Sequence, residues 1–316
     1  MTKCASIYEQ LSAEIRKVIV GQDEAVRLVL VSLLADGHVL LEGVPGLAKT
    51  TLVRAVAKAL SLEFGRVQFT PDLMPSDVIG TQIFNFQQGS FHLVEGPVFT
   101  NVLLADEINR APAKTQSSLL EAMQERQVSI EGETRALPSP YFVLATQNPV
   151  EQEGTYPLPE AQLDRFLFNI VLGYPSLEEE KRVLELHSGD NAGLLRTLDQ
   201  VESVVSAPEL LEARAEVLST RIQSEVVDYL LELVRRTRDN PSIQLGASPR
   251  AALLLQIAAK TSARVAGRDY VTPDDIKELY VHALRHRIVL KASAEVEGMR
   301  EDDVLRELAH AVPVPR

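Results

Sequence analysis

Residues 38–60 read HVLLEGVPGLAKTTLVRAVAKAL, in which a short apolar run leads into a loop with two glycines and then into a stretch with helical spacing. Glycines let the backbone N–H groups of a loop turn towards a phosphate, and the positive end of the following helix adds to the attraction. Strand, glycine loop and helix are the context that a phosphate-binding loop requires. The segment therefore predicts a nucleotide site, the alternative being a glycine loop that binds no ligand.

Within this loop, Lys49 is expected to reach the β- and γ-phosphates, and the Thr50 hydroxyl is expected to hold Mg²⁺. Ala48 replaces the second glycine of the usual pattern G-x-x-x-x-G-K-[ST]. Alanine suits this position only with a negative φ angle, which we expect here. The predicted nucleotide contacts of the loop are Gly43, Pro45, Gly46, Leu47, Ala48, Lys49, Thr50 and Thr51.

Two acidic residues follow the apolar run of NVLLADEINRAP, residues 101–112. Ligands of open α/β sheets bind at the carboxyl ends of the strands, so Asp106 and Glu107 should face the phosphate loop. We predict that Asp106 orients Mg²⁺ through water and that Glu107 polarises the attacking water as general base. The alternative is a pair of acids that only solvates a turn.

The segment LATQNPVEQ ends a further apolar run in Gln147, Asn148 and Pro149. An amide beside the γ-phosphate can hold the attacking water without adding charge. Asn148 is placed for that role. The alternative is that Asn148 only starts a turn before the proline.

Two arginines lie in segments that predict phosphate contacts. Arg165 stands in PLPEAQLDRFLFNI, between an acidic helix end and a strand, and we predict that it acts as an arginine finger on the nucleotide of another subunit. The alternative is a salt bridge to Asp164 or Glu160. Arg250 follows the cap residue Ser248 in ASPRAALLLQIAAK, where a cation opposes the helix dipole unless an anion such as a nucleotide phosphate is present. The alternative is an arginine that points to solvent.

The first two-thirds of the chain alternate apolar runs with helical spacing, which is typical of a mostly parallel sheet between helices. This pattern predicts an α/β core over residues 1–191, with five strands at 38–41, 66–69, 102–105, 142–145 and 168–172. Two hairpins, at 83–94 and 128–137, are predicted as insertions. Residues 192–316 show helical periodicity only, so we predict a smaller all-helical domain there.

Composition restricts the partners and the compartment. Acidic residues number 44 against 32 basic ones, so the formal charge of −12 disfavours binding to nucleic acid or to anionic membranes. No apolar stretch approaches the roughly 18 residues of a membrane span. With a single cysteine, Cys4, and no signal peptide, we expect a cytoplasmic protein. His282 and His286, four apart, could share a metal, but we interpret them as two surface histidines.

The chain resembles the MoxR family of AAA+ ATPases in an ordered set of motifs that covers nearly its whole length, namely IVGQDE, GVPGLAKT, ADEINRAP, ATQNP, EGTYPLPEAQLDRF and SPRA. The resemblance implies a P-loop NTPase core of αβα layers with a helical lid, ATP bound between them, and assembly into a ring, usually hexameric. It matches Lys49 and Thr50 to Walker A, Asp106 and Glu107 to Walker B, Asn148 to sensor 1, Arg165 to the arginine finger and Arg250 to sensor 2.

The resemblance also implies that residues 19–22, among them Val20, Gly21 and Gln22, line the adenine. Both hairpins should face the pore or a partner surface of the ring. MoxR relatives resemble chaperones that work with proteins carrying a von Willebrand factor A domain. The predicted activity is therefore hydrolysis of ATP with Mg²⁺, used to remodel a partner protein.

Two alternatives remain open at this point. One is a magnesium-chelatase-like or GTP-using motor subunit of the same fold, which competition between ATP and GTP would separate. The other is a nucleotide-switched scaffold that binds ATP but scarcely hydrolyses it. The presence of Glu107, Asn148 and Arg165 together argues against the scaffold, because a switch needs no base, water holder and finger.

Overall fold

The computed structural model describes residues 2–44, 46–148, 155–186 and 197–315. Its centre is a five-stranded sheet in the order β2-β5-β8-β1-β9, in which every neighbouring pair is parallel. The five strands are β1 (His38–Glu42), β2 (Phe64–Gln68), β5 (Val102–Asp106), β8 (Phe142–Gln147) and β9 (Phe166–Val171). The predicted count of five strands and their positions are confirmed.

Both faces of the sheet are covered, because its strands are apolar in consecutive positions rather than in alternate ones. One face packs against α1 (Lys3–Arg16), α2 (Asp23–Leu34) and α3 (Lys49–Ala59). The opposite face packs against α4 (Pro75–Ile79) and α5 (Ala113–Glu125). The chain thus forms the three αβα layers that the sequence predicts.

The two predicted hairpins are present. β3 (Gly80–Asn85) pairs antiparallel with β4 (Ser90–Glu95), and β6 (Gln127–Ile130) pairs antiparallel with β7 (Glu133–Ala136). Gly80 is required at the base of the first hairpin, since its φ is +96° and a Cβ there would stand 2.4 Å from the Val94 carbonyl oxygen. Two short helices complete the core, α6 (Glu160–Leu163) and α7 (Leu177–Leu186).

The carboxyl-terminal part contains six α-helices within residues 197–315: α8 (Ala207–Leu218), α9 (Ser224–Asp239), α10 (Pro249–Val265), α11 (Pro273–Leu284), α12 (Ala292–Val296) and α13 (Glu301–Ala311). The expected start of α10 is confirmed, because the Ser248 side chain accepts a hydrogen bond from the Ala251 N–H. The prediction of helices only needs one correction: β10 (Ile243–Leu245) and β11 (Val289–Leu290) form a small antiparallel ladder.

The predicted domain boundary, between residues 191 and 192, lies outside the described residues. On either side of it the interior is shared, because one cluster of buried apolar side chains contains residues of α1, α2 and α3 together with residues of α8 to α11. Arg214 on α8 also donates two hydrogen bonds to the Leu33 carbonyl at the end of α2. The helical part therefore packs against the layer formed by α1, α2 and α3.

The interpretation of His286 as a surface residue is wrong. His286 is 7% exposed, lies in the turn after α11, and its Nε2 lies 3.1 Å from the Phe166 carbonyl oxygen. His282 is half-buried on α11, 3.5 Å from Glu24, and burial and the charge of Arg285 lower its pKa to about 4. Within the described residues no group of three or more metal-ligating side chains occurs, and no helix is long and apolar enough to span a bilayer.

Candidate nucleotide-binding site

A cleft of about 440 Å³ opens at the carboxyl ends of β1, β5 and β8. It is lined by the phosphate loop, by the two acids after β5, by Asn148 after β8, and by the segments that precede α2 and form α7. The lining residues are Val18, Ile19, Val20, Gln22, Gly46, Leu47, Ala48, Lys49, Thr50, Thr51, Asp106, Glu107, Asn148, Pro175, Val183 and Leu186. Most of the predicted contacts thus share one cleft, while Pro45 lies outside the described residues.

The phosphate loop reaches α3 through two residues in left-handed backbone conformation. Gly46 has a φ of +90° and Ala48 a φ of +55°. The expectation of a negative φ at Ala48 is wrong, because Ala48 is the residue at which the loop turns into the helix. A left-handed residue other than glycine costs about 1 to 2 kcal/mol, and alanine has the smallest side chain that can bear it.

Lys49 begins α3 and turns back over the loop. Its Nζ donates a hydrogen bond of 2.6 Å to the Gly43 carbonyl. Burial lowers the pKa of Lys49, and the charges of Asp106, Glu107 and Glu42 oppose that shift. A cation withdrawn from water, with only a carbonyl as its close partner, gains most from an anion, which is what a phosphate would supply.

Asp106 ends β5 with both carboxylate oxygens bonded. One accepts a hydrogen bond of 2.6 Å from the Thr146 hydroxyl, and the other forms a 2.6 Å ion pair with Arg66 on β2. These contacts hold the carboxylate in one orientation at the floor of the cleft.

Glu107 is the next residue and has a φ of +55°. Its backbone N–H donates to the Thr146 hydroxyl at 2.8 Å, and its Oε2 accepts from Gln68 at 2.9 Å and from Arg110 at 3.1 Å. The strained backbone turns the side chain out of the sheet, and the two donors then fix where the carboxylate lies. Both donors bond the same oxygen, Oε2, so among the described contacts Oε1 remains available as an acceptor.

Asn148 follows β8 and is 5% exposed. Its backbone carbonyl accepts a hydrogen bond of 3.5 Å from the Asn109 side chain, which ties it to the turn after β5. This contact places Asn148 beside Asp106 and Glu107 in the cleft lining.

The opposite end of the cleft is apolar. Val18, Ile19 and Val20 meet Val183 and Leu186 of α7 there, which leaves a slot suited to a flat base. Gln22 closes it by donating to the Gly173 carbonyl at 2.9 Å. Gly21 has a φ of +68°, a left-handed conformation that favours glycine, and it lies against the Glu179 side chain of α7.

Arg165 and Arg250 do not line this cleft. The segments that carry them are bonded to each other, because the Ser248 hydroxyl, two residues before Arg250, donates a hydrogen bond of 2.9 Å to Asp164, the residue before Arg165. Burial and then the charge of Arg250 lower the pKa of Arg165, against the opposing charges of Glu125 and Glu121. Arg165 also borders a small cavity of about 210 Å³ with Glu121, Glu125 and Gln162. Among the described residues, none beyond 196 lines the cleft, so the expectation that ATP lies between core and lid stays a prediction.

Asp164 holds the two arginines together, and sequence reasoning assigned it only as a partner of Arg165. Its carboxylate bonds the Arg287 Nε at 2.7 Å and the Ser248 hydroxyl at 2.9 Å. Arg287 is almost fully buried, and burial lowers its pKa to about 10 against the opposing charge of Asp164. The residue before Arg165 is thus bonded to the cap of the helix that carries Arg250.

Comparison with known proteins identifies the family. Residues 38–168 match the family model "ATPase family associated with various cellular activities (AAA)", and residues 235–308 match the AAA lid domain. The chain is 46% identical over 317 residues to "Chaperone MoxR1" of Mycobacterium tuberculosis, which covers 98% of this chain and 82% of that protein. The chain belongs to the MoxR family of AAA ATPases.

Two further relatives agree with this assignment. "Uncharacterized protein YeaC" of Bacillus subtilis is 48% identical over 301 residues, or 95% of this chain and 92% of that protein. A crystal structure of a candidate ATPase from Cytophaga hutchinsonii superimposes with a TM-score of 0.90 at 45% identity, covering 99% of this chain and 97% of that one. The AAA fold and its lid are therefore shared with the MoxR family over nearly the full length.

The donors in the cleft fit the magnesium ion that ATP binding by AAA proteins implies. The Thr50 hydroxyl and the Asp106 carboxylate are the only oxygen donors needed from the protein, since Mg²⁺ keeps most of its waters and takes the rest from phosphate. The Arg66 ion pair fixes Asp106 at the cleft floor. Hard oxygen ligands beside a desolvated lysine suit a metal-bound triphosphate.

Sequence reasoning missed four residues that hold the acids: Arg66, Gln68, Arg110 and Thr146. A signal for them exists, because Gln68 and Thr146 are polar residues at the carboxyl ends of otherwise apolar strands, next to the predicted acids. Such residues face the same edge of the sheet as the acids. Parallel pairing sets Gln68 opposite Asp106, which brings its amide within reach of Glu107.

Replacing Ala48 by glycine should stabilise the protein. The change removes a left-handed cost of about 1 to 2 kcal/mol and adds unfolded-state entropy worth about 0.4 to 1 kcal/mol, for a net gain of about 0.5 to 1 kcal/mol. Urea unfolding measures it. The matched control is Ala215→Gly. Ala215 is exposed in the middle of α8, so this change should destabilise the protein by about 1 kcal/mol. If Ala48→Gly and Ala215→Gly lowered the stability equally, the left-handed strain assigned to Ala48 would be contradicted.

Replacing Asp164 by asparagine should destabilise the protein by about 3 kcal/mol, because Arg287 keeps a buried charge without its counter-ion. Denaturant unfolding of Asp164→Asn provides the measurement. Asp269→Asn serves as control, since Asp269 pairs with Arg221 at 51% and 75% side-chain exposure and such pairs are worth less than about 1 kcal/mol. If both variants lost equally little stability, the Asp164 contacts would not hold the core and the helical part together.

Proposed function

We propose that this chain hydrolyses ATP in a ring, usually of six copies, in which each active site is completed by Arg165 and Arg250 of the adjacent copy. One observation carries the proposal: the proposed binding residues and base share a cleft, whereas Arg165 and Arg250 lie outside it on two segments that are bonded through Asp164 and Ser248. Like charges held side by side repel each other unless an anion lies between them. A triphosphate held by a neighbour would be that anion.

In this proposal the phosphate loop binds the triphosphate. The N–H groups at the start of α3 point at the β-phosphate, and Lys49 leaves the Gly43 carbonyl for the phosphate oxygens. Thr50 and Asp106 would hold Mg²⁺, which neutralises charge on the β- and γ-phosphates when bound. The apolar slot between residues 18–22 and α7 would take the adenine.

Glu107 acts as the general base and Asn148 holds the water it activates. Gln68 and Arg110 bond Oε2 of Glu107 and hold the carboxylate in place, which leaves Oε1 to accept the proton of the attacking water. Asn148 is neutral and nearly buried, which lets it orient water without weakening the charge on the base. The arginine pair then stabilises the charge that moves onto the leaving phosphate oxygens.

The alternatives from the sequence fit less well. A nucleotide-switched scaffold would have no use for a base held by two donors or for an arginine pair placed for another copy. A GTP-using motor would need polar groups to read guanine, whereas the slot beside α7 is mainly apolar in its described part. ATP therefore remains the proposed substrate.

We further propose that the energy of hydrolysis remodels a partner protein in the cytoplasm, with a protein carrying a von Willebrand factor A domain as the partner. The support is family membership and the name of the relative "Chaperone MoxR1". The excess of acidic residues also favours a protein over nucleic acid as partner.

Mixing two inactive variants should restore hydrolysis. Lys49→Ala removes a chain's own site, and Arg165→Ala removes what it gives its neighbour, for which we expect a loss of about a thousandfold or more in kcat. In a one-to-one mixture, roughly a quarter of the interfaces pair an intact cleft with an intact arginine, so roughly a quarter of the wild-type rate should return. Phosphate release with Mg²⁺ and ATP measures it.

The control mixture combines Arg165→Ala with a chain carrying both substitutions, which should stay inactive because no intact arginine is present. Two results would contradict the shared site. One is an Arg165→Ala variant that retains the wild-type rate; the other is a wild-type rate per chain that stays unchanged on dilution to monomers.

Glu107→Gln should bind ATP without turnover and should retain a partner protein during affinity capture in ATP. Lys49→Ala is the control, because it cannot bind the nucleotide and should retain much less. Identification of the retained chains by mass spectrometry should find a von Willebrand factor A protein. Capture of nucleic acid, or of the same chains by both variants, would contradict a nucleotide-dependent protein partner.

A further inference from the structure

Helix α7 has two apolar faces, of which one lines the nucleotide cleft and the other is exposed. Val183 and Leu186 face the nucleotide cleft. On the other side, Leu177 is 67% exposed and Leu184 is 69% exposed, and their spacing puts them on one face together with Glu180. Within the described residues, none of the side chains of α7 is buried. The outer face of α7 is thus apolar and acidic.

A groove of complementary character lies between α9 and α10. It has a volume of about 400 Å³ and a buried apolar floor that includes Leu230, Val234 and Ala252. Leu231 and Leu253 line it at 43% and 67% exposure, and Arg235 and Arg238 line it as well. We call it the α9–α10 groove. Large exposed leucines beside arginines are typical of a surface that receives an apolar helix with acidic residues.

The α9–α10 groove is continuous with the arginine that we propose to enter a neighbour's cleft. Arg250 and Leu253 are three residues apart on α10, so their side chains are neighbours on the surface of that helix. Pro249, beside Arg250, lines the groove as well. If Arg250 reaches a phosphate in the next copy, Leu253 reaches the rim of the same cleft.

That rim includes α7 of the next copy. Pro175, Val183 and Leu186 form one wall of the cleft, so the opposite face of α7 points outward beside the cleft opening. The charges also match, because the four glutamates of α7 outnumber its lysine and arginine, whereas the groove carries Arg235 and Arg238.

We propose that the outer face of α7 docks into the α9–α10 groove of the adjacent copy. The proposal rests on the ring of the proposed function and names the surfaces that form its interface. The apolar contact is between Leu177 and Leu184 on one copy and Leu231 and Leu253 on the other, and Glu180 faces the arginines of the groove. A contact of this kind is heterologous, since each copy contributes α7 to one neighbour and the α9–α10 groove to the other, which is the type of contact that a ring requires.

The docking links the nucleotide to the next copy. α7 touches the adenine slot through Val183 and Leu186 and touches the neighbour through Leu177. A nucleotide that moves α7 therefore shifts the neighbour's α10 and with it Arg250. Occupancy of one site would then set the position of an arginine that serves the same site.

Cross-linking tests the contact directly. A chain carrying both Leu177→Cys and Leu253→Cys is treated with a short bismaleimide in ATP and Mg²⁺ and separated under denaturing conditions. We expect a ladder of bands that extends beyond the dimer, because every copy offers both cysteines to different neighbours. Either substitution alone should give almost no cross-link. The native Cys4 is fully buried, so it does not compete with the introduced thiols.

Assembly provides an independent measure. Leu253→Asp should weaken self-association in ATP by about tenfold or more, because a charge replaces an apolar contact at the centre of the proposed interface. Leu218→Asp is the matched control, since Leu218 is a leucine of 69% exposure on α8 and should assemble as wild type does. Sedimentation velocity measures both, and circular dichroism confirms that both variants fold.

The outcomes separate the two proposals. If the wild type assembles but the double-cysteine chain gives no ladder, or if Leu253→Asp assembles like Leu218→Asp, the docking is wrong and the ring stands. A groove that instead received a partner protein would give that same result. If the wild type fails to assemble in ATP at any concentration, the proposed function fails and the docking fails with it.

Discussion

The parallel register of β2, β5, β8 and β1 is the constraint on which the site depends. It sets Gln68 opposite Asp106 and Glu42 opposite Gln147, so that four strand ends finish at one edge. Backbone hydrogen bonds and two buried faces fix this register, since a slip of one residue would turn apolar side chains out of both covering layers. The phosphate loop, the acids and Asn148 meet because each follows one of these strands directly.

The rigid sheet also bears the strain that the site requires. Gln22, Ala48 and Glu107 all have positive φ angles, and all three line the cleft. Each costs of order 1 to 3 kcal/mol, which a local segment could not offset. Each directly precedes or follows a regular element that is anchored in the core, so packing elsewhere sets the backbone at these positions. The backbone conformation at these positions sets the directions of the N–H groups at the start of α3 and of the Glu107 side chain.

The layers, the strands and the cleft residues were predictable because they depend on local patterns. In each pattern an apolar run is followed directly by a glycine loop, by acidic residues or by an amide. What the sequence could not supply depends on residues far apart. Asp164 and Arg287 are 123 positions apart, and nothing in either segment indicates the other. The predicted sign of the Ala48 φ angle was wrong because the prediction used the usual preference of alanine for negative φ, whereas the geometry of the loop decides the angle at this position. The burial of His286 was missed because four-residue spacing defines a helix face but not what covers it.

Arg165 and Arg250 lie apart from the other predicted site residues. The cleft is lined by the phosphate loop, Asp106, Glu107 and Asn148, whereas neither arginine is part of its lining. Asp164 and Arg287 fix both arginines to one rigid body formed by the start of β9 and the start of α10. Because one carboxylate positions both, they must approach a neighbour's phosphate together. A single copy would then hold ATP with little turnover, and the rate would report assembly.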